Sequence, residues 1–243
     1  MKRKIAYLQD IPIELGNNSQ IMTILNEWLA KPSKSYQVVT LNAVMLITAL
    51  RNLSLEESIK KADLIMIDGY GILLALKKRG YDNLERFTGV ELTRNLLDIC
   101  SIKRYSVYFL GGTPGVSKKL CEIIPVAWPG VLIEGIRDGY ESVLNRLEII
   151  DEIRSKQPRL LLVGLGTPDQ ETFLADVLKF LPGTMGIGVG GTFDILSGLK
   201  KEAPKWAKRV GIEWSYRMLQ DPEKFKLLPD LFRFWNLFLR RMD

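Results

Sequence analysis

Six short apolar segments, most of which run into glycine or a small polar residue and then a helical pattern, constrain the fold of this chain most strongly. They span residues 37–41, 62–67, 105–110, 130–135, 159–163 and 186–189. Continuously apolar strands are typical of a parallel sheet that is buried on both faces. Because strands and helices alternate, we predict an α/β, doubly wound, mostly parallel sheet of the Rossmann-like class.

The composition changes near Leu199. Residues 200–243 hold 11 of the 34 Lys and Arg, 6 of the 28 Asp and Glu and three of the five Trp, so they carry +5 of the net charge of +6. We therefore predict an α/β domain over 1–199 and a helical appendage over 200–243. The closing helix has two open interpretations: docking on the core with a solvated basic face, or lying on anionic lipid headgroups.

Other partners of the appendage follow from the same composition. Its aromatic residues could also serve a subunit contact, so a homo-oligomer is possible. A nucleic-acid partner is not expected, because the basic residues alternate with bulky aliphatics and no known binding motif occurs.

The chain contains no histidine, which excludes several kinds of chemistry. Ser-His-Asp triads, Cys-His dyads and His-ligated zinc are impossible within it, so a general base must be a carboxylate, a lysine or, less readily, tyrosine or cysteine. Cys100 and Cys121 lie in apolar surroundings and fit reduced core residues. No apolar run reaches 18 residues and the basic start lacks a signal-peptide core, so we expect a soluble or peripheral protein of the cell interior.

Glycine pairs follow two of the predicted strands, at Gly111-Gly112 and Gly190-Gly191. Ligands of open α/β sheets bind at the carboxyl ends of the strands, and helix starts there favour phosphate. Neither pair belongs to a Walker loop or a convincing GxGxxG fingerprint. Several such loops indicate a nucleotide-type ligand, although the glycines could simply permit tight turns.

Polar side chains at the same strand ends are candidates for chemistry. Asp68 closes the second strand, where it could cap the next helix or act as a general base. The same ambiguity between helix capping and contact with a substrate holds for Thr40, Asn42, Gln170 and Glu171. No Asp-x-Asp motif occurs, so we expect no metal. Arg, Lys or helix N-termini would then have to neutralise a departing diphosphate, and Arg86, Arg209 and Arg217 are available.

The order of these motifs resembles the WecG/TagA/CpsF glycosyltransferases. The segments that carry the resemblance are Thr-Leu-Asn at 40–42, Asp-Gly-Tyr-Gly at 68–71, Arg-Phe-Thr-Gly at 86–89, Phe-Leu-Gly-Gly at 109–112, Val-Gly-Leu-Gly-Thr-Pro-Asp-Gln-Glu at 163–171, Gly-Val-Gly-Gly-Thr-Phe-Asp at 188–194, Ala-Pro-Lys-Trp at 203–206 and Glu-Trp-Ser-Tyr-Arg at 213–217. The resemblance runs from about residue 37 to residue 222.

The resemblance implies an inverting transferase without a cofactor or an essential metal. Members move N-acetylmannosamine or a related sugar from a UDP donor to a polyprenyl-diphosphate-linked N-acetylglucosamine, at the cytoplasmic membrane face, in teichoic acid or surface-polysaccharide synthesis. The implied residues are Asp68 as the base, Thr40, Asn42, Arg86 and Gln170 around the sugar and diphosphate, residues 188–194 with Asp194 at the nucleotide end, and Arg209 and Arg217 over the diphosphate.

Two departures and two rival functions accompany the resemblance. Asp169 and Glu202 stand where the family often has Lys and Arg, which bears on the identity of the donor sugar. One rival is a Rossmann enzyme that uses NAD or S-adenosylmethionine. The other is a non-catalytic, membrane-attached module that binds nucleotide sugars and in which Asp68 only caps a helix.

Overall fold

The structure is a computed structural model that describes residues 3–140 and 145–240, apart from the side chain of Arg217. Its strands are β1 Ile5–Leu8, β2 Ile11–Glu14, β3 Tyr36–Leu41, β4 Leu64–Ile67, β5 Ser106–Gly111, β6 Leu132–Arg137, β7 Leu160–Gly164 and β8 Met185–Gly188. Its helices are α1 Asn18–Ala30, α2 Ala43–Ala49, α3 Leu53–Lys60, α4 Tyr70–Lys78, α5 Gly89–Lys103, α6 Pro114–Ala127, α7 Arg146–Lys156, α8 Asp169–Val177, α9 Thr192–Leu196, α10 Lys205–Arg209, α11 Glu213–Gln220 and α12 Leu228–Phe234. Short 3-10 turns at Leu178–Phe180 and Pro222–Leu227 and a π-helical turn at Trp235–Arg240 complete the described elements.

Strands β3 to β8 form one parallel sheet in the order β4-β3-β8-β7-β5-β6. The pairing is regular along the β3–β4 ladder, as between Val38 and Leu64, whereas the β5–β6 ladder shifts register between Val107 and Tyr108. This confirms the predicted α/β, doubly wound architecture and all six predicted strands. Because the strands are parallel, the segments that follow them lie at one edge of the sheet.

Helices cover both faces of this sheet, as continuously apolar strands require. One buried cluster joins α1, α5 and α6 to one face. Two further clusters join α2, α3 and α4, and α7 and α8, to the other. The strands alternate between these clusters, with Val38 in the first and Val39 in the second.

A feature that the sequence analysis did not predict is the antiparallel hairpin β1–β2. Its turn is Gln9-Asp10, with φ of 50° and 61°. Two consecutive residues with positive φ are typical of the tight turn that suits hairpin twist. The buried residues of the hairpin lie beside β4 and are Ala6, Leu8, Ile11 and Ile13. Their alternation on either side of the polar pair Gln9-Asp10 is the sequence signal that could have revealed the hairpin.

Residues 200–240 of the predicted appendage are largely helical and pack on the rest of the chain. Phe234 and Phe238 stack at 4.9 Å between ring centroids, and only 2% and 3% of each residue is exposed, within the cluster of α2 and α4. An ion pair between Arg51 and Asp230 ties α12 to the segment after α2. Phe232 and Trp235 are exposed. One side of the helix therefore docks on the core, and the other presents aromatic rings to the surroundings.

Candidate active site

Asp68 lies directly after β4, at the carboxyl edge of the sheet, and is half-buried. Its Oδ1 accepts a hydrogen bond from the backbone N–H of Gly89 at 3.0 Å, so it contacts the first residue of α5. The next helix, α4, has Gly69 at its N-cap, so its N-cap residue offers no side chain. The carboxylate of Asp68 is held across the edge between β4 and the first residue of α5.

Asn42 and Thr40 lie on the neighbouring strand β3. Asn42 follows the strand and caps α2, because its Oδ1 accepts the N–H of Met45 at 3.0 Å. Thr40 is buried, and its hydroxyl donates to the carbonyl oxygen of Gly188 at 3.2 Å. Thr40 thus links β3 to β8 just below the edge, whereas half-buried Asn42 lies at the edge beside Gly69.

Gln170 bridges the loops that follow β7 and β8. Its Oε1 accepts the N–H groups of Gly166, at 3.3 Å, and of Gly190, at 3.0 Å. Its Nε2 donates to Oε1 of Glu171 at 2.6 Å. With 2% of its surface exposed, Gln170 is a buried clamp between two glycine loops.

Glu171 is the buried acid of this clamp, with 1% exposure. Burial raises the pKa of Glu171 to about 7, because desolvation penalises the carboxylate more than the hydrogen bond from Gln170 favours it. The negative charge of Asp169 raises that pKa further. Sequence analysis gave Glu171 the same two interpretations as Gln170, helix capping or contact with a substrate, and did not predict its burial, because no pattern in the sequence shows that this carboxyl faces the interior.

The raised pKa of Glu171 makes the stability of the protein depend on pH. Above the ordinary value of 4.5 the unfolded chain releases this proton, while the folded chain retains it up to about pH 7. The free energy of unfolding therefore falls as the pH rises between these values, by roughly 3 kcal/mol at 1.36 kcal/mol per pKa unit. The Glu171→Gln variant should lack this fall. Urea unfolding of the wild type and of this variant at pH 5 and pH 8 measures the difference in the free energy of unfolding. Equal changes in the two proteins between these pH values would contradict the assignment.

The glycine pairs lie in the loops after β5 and β8. Gly111 has a φ of 129°, and a Cβ there would lie 2.4 Å from the carbonyl oxygen of Gly164 on β7, so only glycine fits. Gly190 has a φ of 51°, and a Cβ there would meet no atom within 4 Å. Gly111 therefore permits close packing of β5 against β7. Gly112 adds to this contact, because its N–H donates to the Gly164 oxygen at 3.2 Å. The loop at Gly190, in contrast, borders open space.

Asp194 and two lysines surround the second glycine pair. Lys200 lies 3.7 Å from Asp194 and 2.8 Å from Asp221, measured from nitrogen to carboxylate oxygen. A Cβ built at Gly191 would lie 3.3 Å from Asp194 and 3.9 Å from the amine of Lys224. The appendage thus brings Lys200 and Lys224 to the loop after β8. Sequence analysis singled out neither lysine, and Lys224 is 33 residues beyond Gly191 in the chain.

Arg86 precedes α5 and is paired with the appendage. Its Nη1 lies 2.9 Å from Oε2 of Glu213, and both side chains are mostly buried, with 14% and 10% exposed. Arg86 also lines a cavity of about 570 Å³ between α1 and α5, with Asn18, Ser19, Met22, Phe87, Glu91, Arg94 and Asn95. Asp68 is not among the residues that line it. A diphosphate would therefore share Arg86 with the Glu213 carboxylate.

The two acidic departures from the family pattern differ in their surroundings. Glu202 pairs with Arg94 at 2.7 Å and with Lys208 at 2.6 Å. Although burial raises the pKa of Glu202, its hydrogen bonds from Lys208 and Arg94 outweigh this and lower it. Asp169 is exposed in the first turn of α8, where the helix dipole favours it. The charge of Glu202 is thus balanced locally.

The two appendage arginines have different positions. Arg209 is exposed at the end of α10. Arg217 belongs to α11, and its side chain lies outside the part of the chain that the structure describes.

The appendage packs directly on the segment that carries Asp68. A Cβ at Gly71 would lie 3.1 Å from the ring of Phe234, and a Cβ at Gly211 would lie 2.2 Å from the ring of Tyr70. Together with the pair between Arg86 and Glu213, these contacts place α11 and α12 beside the ends of β3 and β4. The structure therefore brings together Asp68, Asn42, Arg86 and the appendage, with Gln170 and the β8 loop along the same edge.

A doubly wound α/β sheet with polar side chains and an open glycine loop at the carboxyl ends of its strands belongs to the class of open α/β proteins whose ligands bind at that edge. Within that class, the chain belongs to the glycosyl transferase WecG/TagA/CpsF family, whose family model matches residues 6–242. It is a glycosyltransferase. This confirms the resemblance drawn from the sequence motifs.

Two curated relatives have the same name, N-acetylglucosaminyldiphosphoundecaprenol N-acetyl-beta-D-mannosaminyltransferase. The protein of Bacillus spizizenii (strain ATCC 23059 / NRRL B-14472 / W23) is 33% identical over 194 residues, which cover 80% of this chain and 75% of that one. The protein of Bacillus subtilis (strain 168) is 26% identical over 219 residues, which cover 90% of this chain and 85% of that one.

Proposed function

We propose that this glycosyltransferase moves N-acetylmannosamine from a UDP donor to N-acetylglucosamine on undecaprenyl diphosphate, with inversion and without a metal ion. The names of both relatives support the sugar and the acceptor. The observation that carries the chemistry is the half-buried carboxylate of Asp68, held at the carboxyl edge by the N–H of Gly89. In a chain without histidine, a fixed carboxylate at this edge is the best-placed base.

The proposed reaction is one in-line displacement. The hydroxyl oxygen of the acceptor sugar attacks the anomeric carbon of the donor and forms the new glycosidic bond. The bond from that carbon to the diphosphate oxygen breaks, and UDP takes its electron pair. Asp68 removes the hydroxyl proton as the oxygen attacks, while Asn42, Thr40 and Gln170 position the sugars directly or through the loops that they hold.

Charge on the departing diphosphate needs a counterpart. Arg86 and the lysines at Gly191, with the glycine loops, are the groups on this edge that would supply it, and Arg209 and Arg217 would reach over the diphosphate. The open space beside Gly190 leaves room for the donor. Among the described residues, no group of three Cys, Asp or Glu side chains could hold a metal ion.

The appendage would bring the enzyme to its lipid-linked acceptor. None of the helices in the described ranges is long and apolar enough to span a bilayer. Eight large apolar side chains within described residues 200–240 are exposed, and this segment is basic: Trp206, Val210, Ile212, Trp214, Leu219, Phe225, Phe232 and Trp235. Exposed aromatics next to cations suit an anionic lipid surface. We therefore place the enzyme peripherally on the inner face of the cell membrane.

Arg86 and Glu213 offer a paired test of the diphosphate contact. Arg86→Gln and Glu213→Gln should each lower the free energy of unfolding by about 1–3 kcal/mol, because each leaves a mostly buried charge without its partner. Only Arg86→Gln should also raise the KM of the UDP donor, by roughly tenfold or more, since of these two residues only Arg86 is proposed to contact the diphosphate. Equal donor KM values in the two variants would reduce Arg86 to a structural role.

A thermal-shift panel tests the ligand class. UDP and UDP-N-acetylmannosamine should raise the melting temperature by mass action, whereas NAD and S-adenosylmethionine should not. A shift with NAD or S-adenosylmethionine and none with UDP would favour the rival Rossmann enzyme. Binding of the UDP-sugar without any turnover on a lipid-diphosphate sugar would favour the non-catalytic module.

A further inference from the structure

Glu171 is a buried carboxyl group that the proposed displacement does not use. Its Oε1 accepts the Nε2 hydrogen of Gln170 at 2.6 Å, whereas its Oε2 has no hydrogen-bond partner within the described ranges. A buried oxygen without a partner costs stability, so such a group calls for an explanation other than folding.

The surroundings of Glu171 leave it no room to rearrange. A Cβ built at Gly188 on β8 would lie 2.8 Å from Nε2 of Gln170 and 3.0 Å from Oε1 of Glu171, so the pair fills the space that glycine provides. The backbone oxygen of Glu171 accepts the side-chain Nε2 of Gln37 on β3 at 3.1 Å. The first turn of α8 is thus locked against both β3 and β8.

The bond from Gln170 to Glu171 decides which way the Gln170 amide faces. An amide side chain has one acceptor oxygen and one donor nitrogen. The oxygen of Gln170 accepts the N–H groups of Gly166 and Gly190. If the amide turned over, its nitrogen would face these two donors, and Glu171 would lose the donor that its Oε1 requires.

We propose that Glu171 is a positioning residue that acts through the Gln170 amide to hold the Gly166 and Gly190 loops in the arrangement that receives the donor. The identity of the donor rests on the proposed function, whereas the fixing of the two loops does not. The variants that test it are Glu171→Leu, which removes the acceptor for Gln170, and Glu171→Gln, which keeps a carbonyl acceptor without a titratable group. Glu14→Gln is the matched control, since Glu14 is also a buried acid but pairs with Arg3 near β2.

The first readout needs no ligand. Amide hydrogen exchange of glycine-labelled protein, followed by NMR, should show protection at Gly166 and Gly190 lowered at least about tenfold in Glu171→Leu. Protection at Gly112, whose N–H donates to a backbone oxygen, should stay unchanged. Glu171→Gln and Glu14→Gln should retain protection at Gly166 and Gly190. If Glu171→Leu retains it, or loses it equally at Gly112, the proposal is overturned.

The second readout is binding of UDP by calorimetry. Glu171→Leu should bind UDP at least about tenfold more weakly than the wild type, and Glu171→Gln should restore the affinity to within about twofold. Weakening in the Gln variant equal to that in the Leu variant would show that the hydrogen bond to Gln170 is not the cause, and would contradict the proposal. Wild-type protein that does not bind UDP would overturn the proposed function, while amide exchange would still decide the role of Glu171.

Discussion

Asp68→Asn should lower kcat by about 10²–10⁴-fold while the KM values of donor and acceptor stay within a few-fold of the wild type. The amide has no basic oxygen that can take the proton of the acceptor hydroxyl. It does retain an oxygen that can accept the N–H of Gly89, so the local structure should persist. The measurement is initial-rate kinetics with UDP-N-acetylmannosamine and a lipid-diphosphate acceptor.

A matched substitution separates loss of the base from loss of a hydrogen bond. Asp98 also accepts one N–H, from the Trp128 indole at 2.7 Å, and lies on α5 away from the strand ends. Asp98→Asn should leave kcat unchanged, and both variants should melt close to the wild type. Turnover of Asp68→Asn at the wild-type rate would remove the catalytic role of Asp68.

Replacing the exposed aromatic pair Phe232 and Trp235 with serine should lower binding to phosphatidylglycerol vesicles by at least about tenfold. Burying one such ring contributes about 1.5–3 kcal/mol, and 67% and 57% of these two residues is exposed. Deletion of residues 200–243 would be a poorer test, because it would also remove Phe234 and Phe238 from the core. Vesicle co-sedimentation measures binding.

The same double variant should lose activity on an acceptor embedded in vesicles and keep it on a water-soluble acceptor analogue. Ile102→Ser with Val126→Ser is the control, since these residues are 78% and 82% exposed but lie on α5 and α6. Vesicle binding of the Phe232 and Trp235 variant equal to that of this control would contradict a membrane role for the appendage. An unchanged ratio of the two activities would also contradict it.

Sequence patterns predicted the sheet because its physical cause is local. The inner strands are largely apolar on both faces, so a run such as residues 105–110 already indicates burial from two sides, whereas the edge strand β6 has only exposed and half-buried residues. The hairpin β1–β2 was missed because its turn is formed by Gln9 and Asp10, two residues without the glycine or asparagine that usually indicates positive φ. The order of the strands was not predictable, because it depends on long-range crossings.

The candidate site was predictable in position and not in detail. Asp68, Asn42 and Gln170 follow strands, and parallel strands bring their ends to one edge whatever the order. The partner of each side chain comes from elsewhere in the chain: Gly89 for Asp68, Gly190 for Gln170 and Glu213 for Arg86. Glu171 illustrates the limit, because its neighbours in sequence resemble an ordinary helix start.

The anomeric configuration of the product tests the single displacement at the strand edge most directly. Purified protein is incubated with UDP-N-acetylmannosamine, in which the sugar is α-linked, and with the lipid-diphosphate acceptor in the presence of a metal chelator. NMR of the ¹³C-labelled product then gives the linkage. We expect a β-linked disaccharide, formed at an unreduced rate. An α-linked product, or a reaction that the chelator abolishes, would contradict the mechanism.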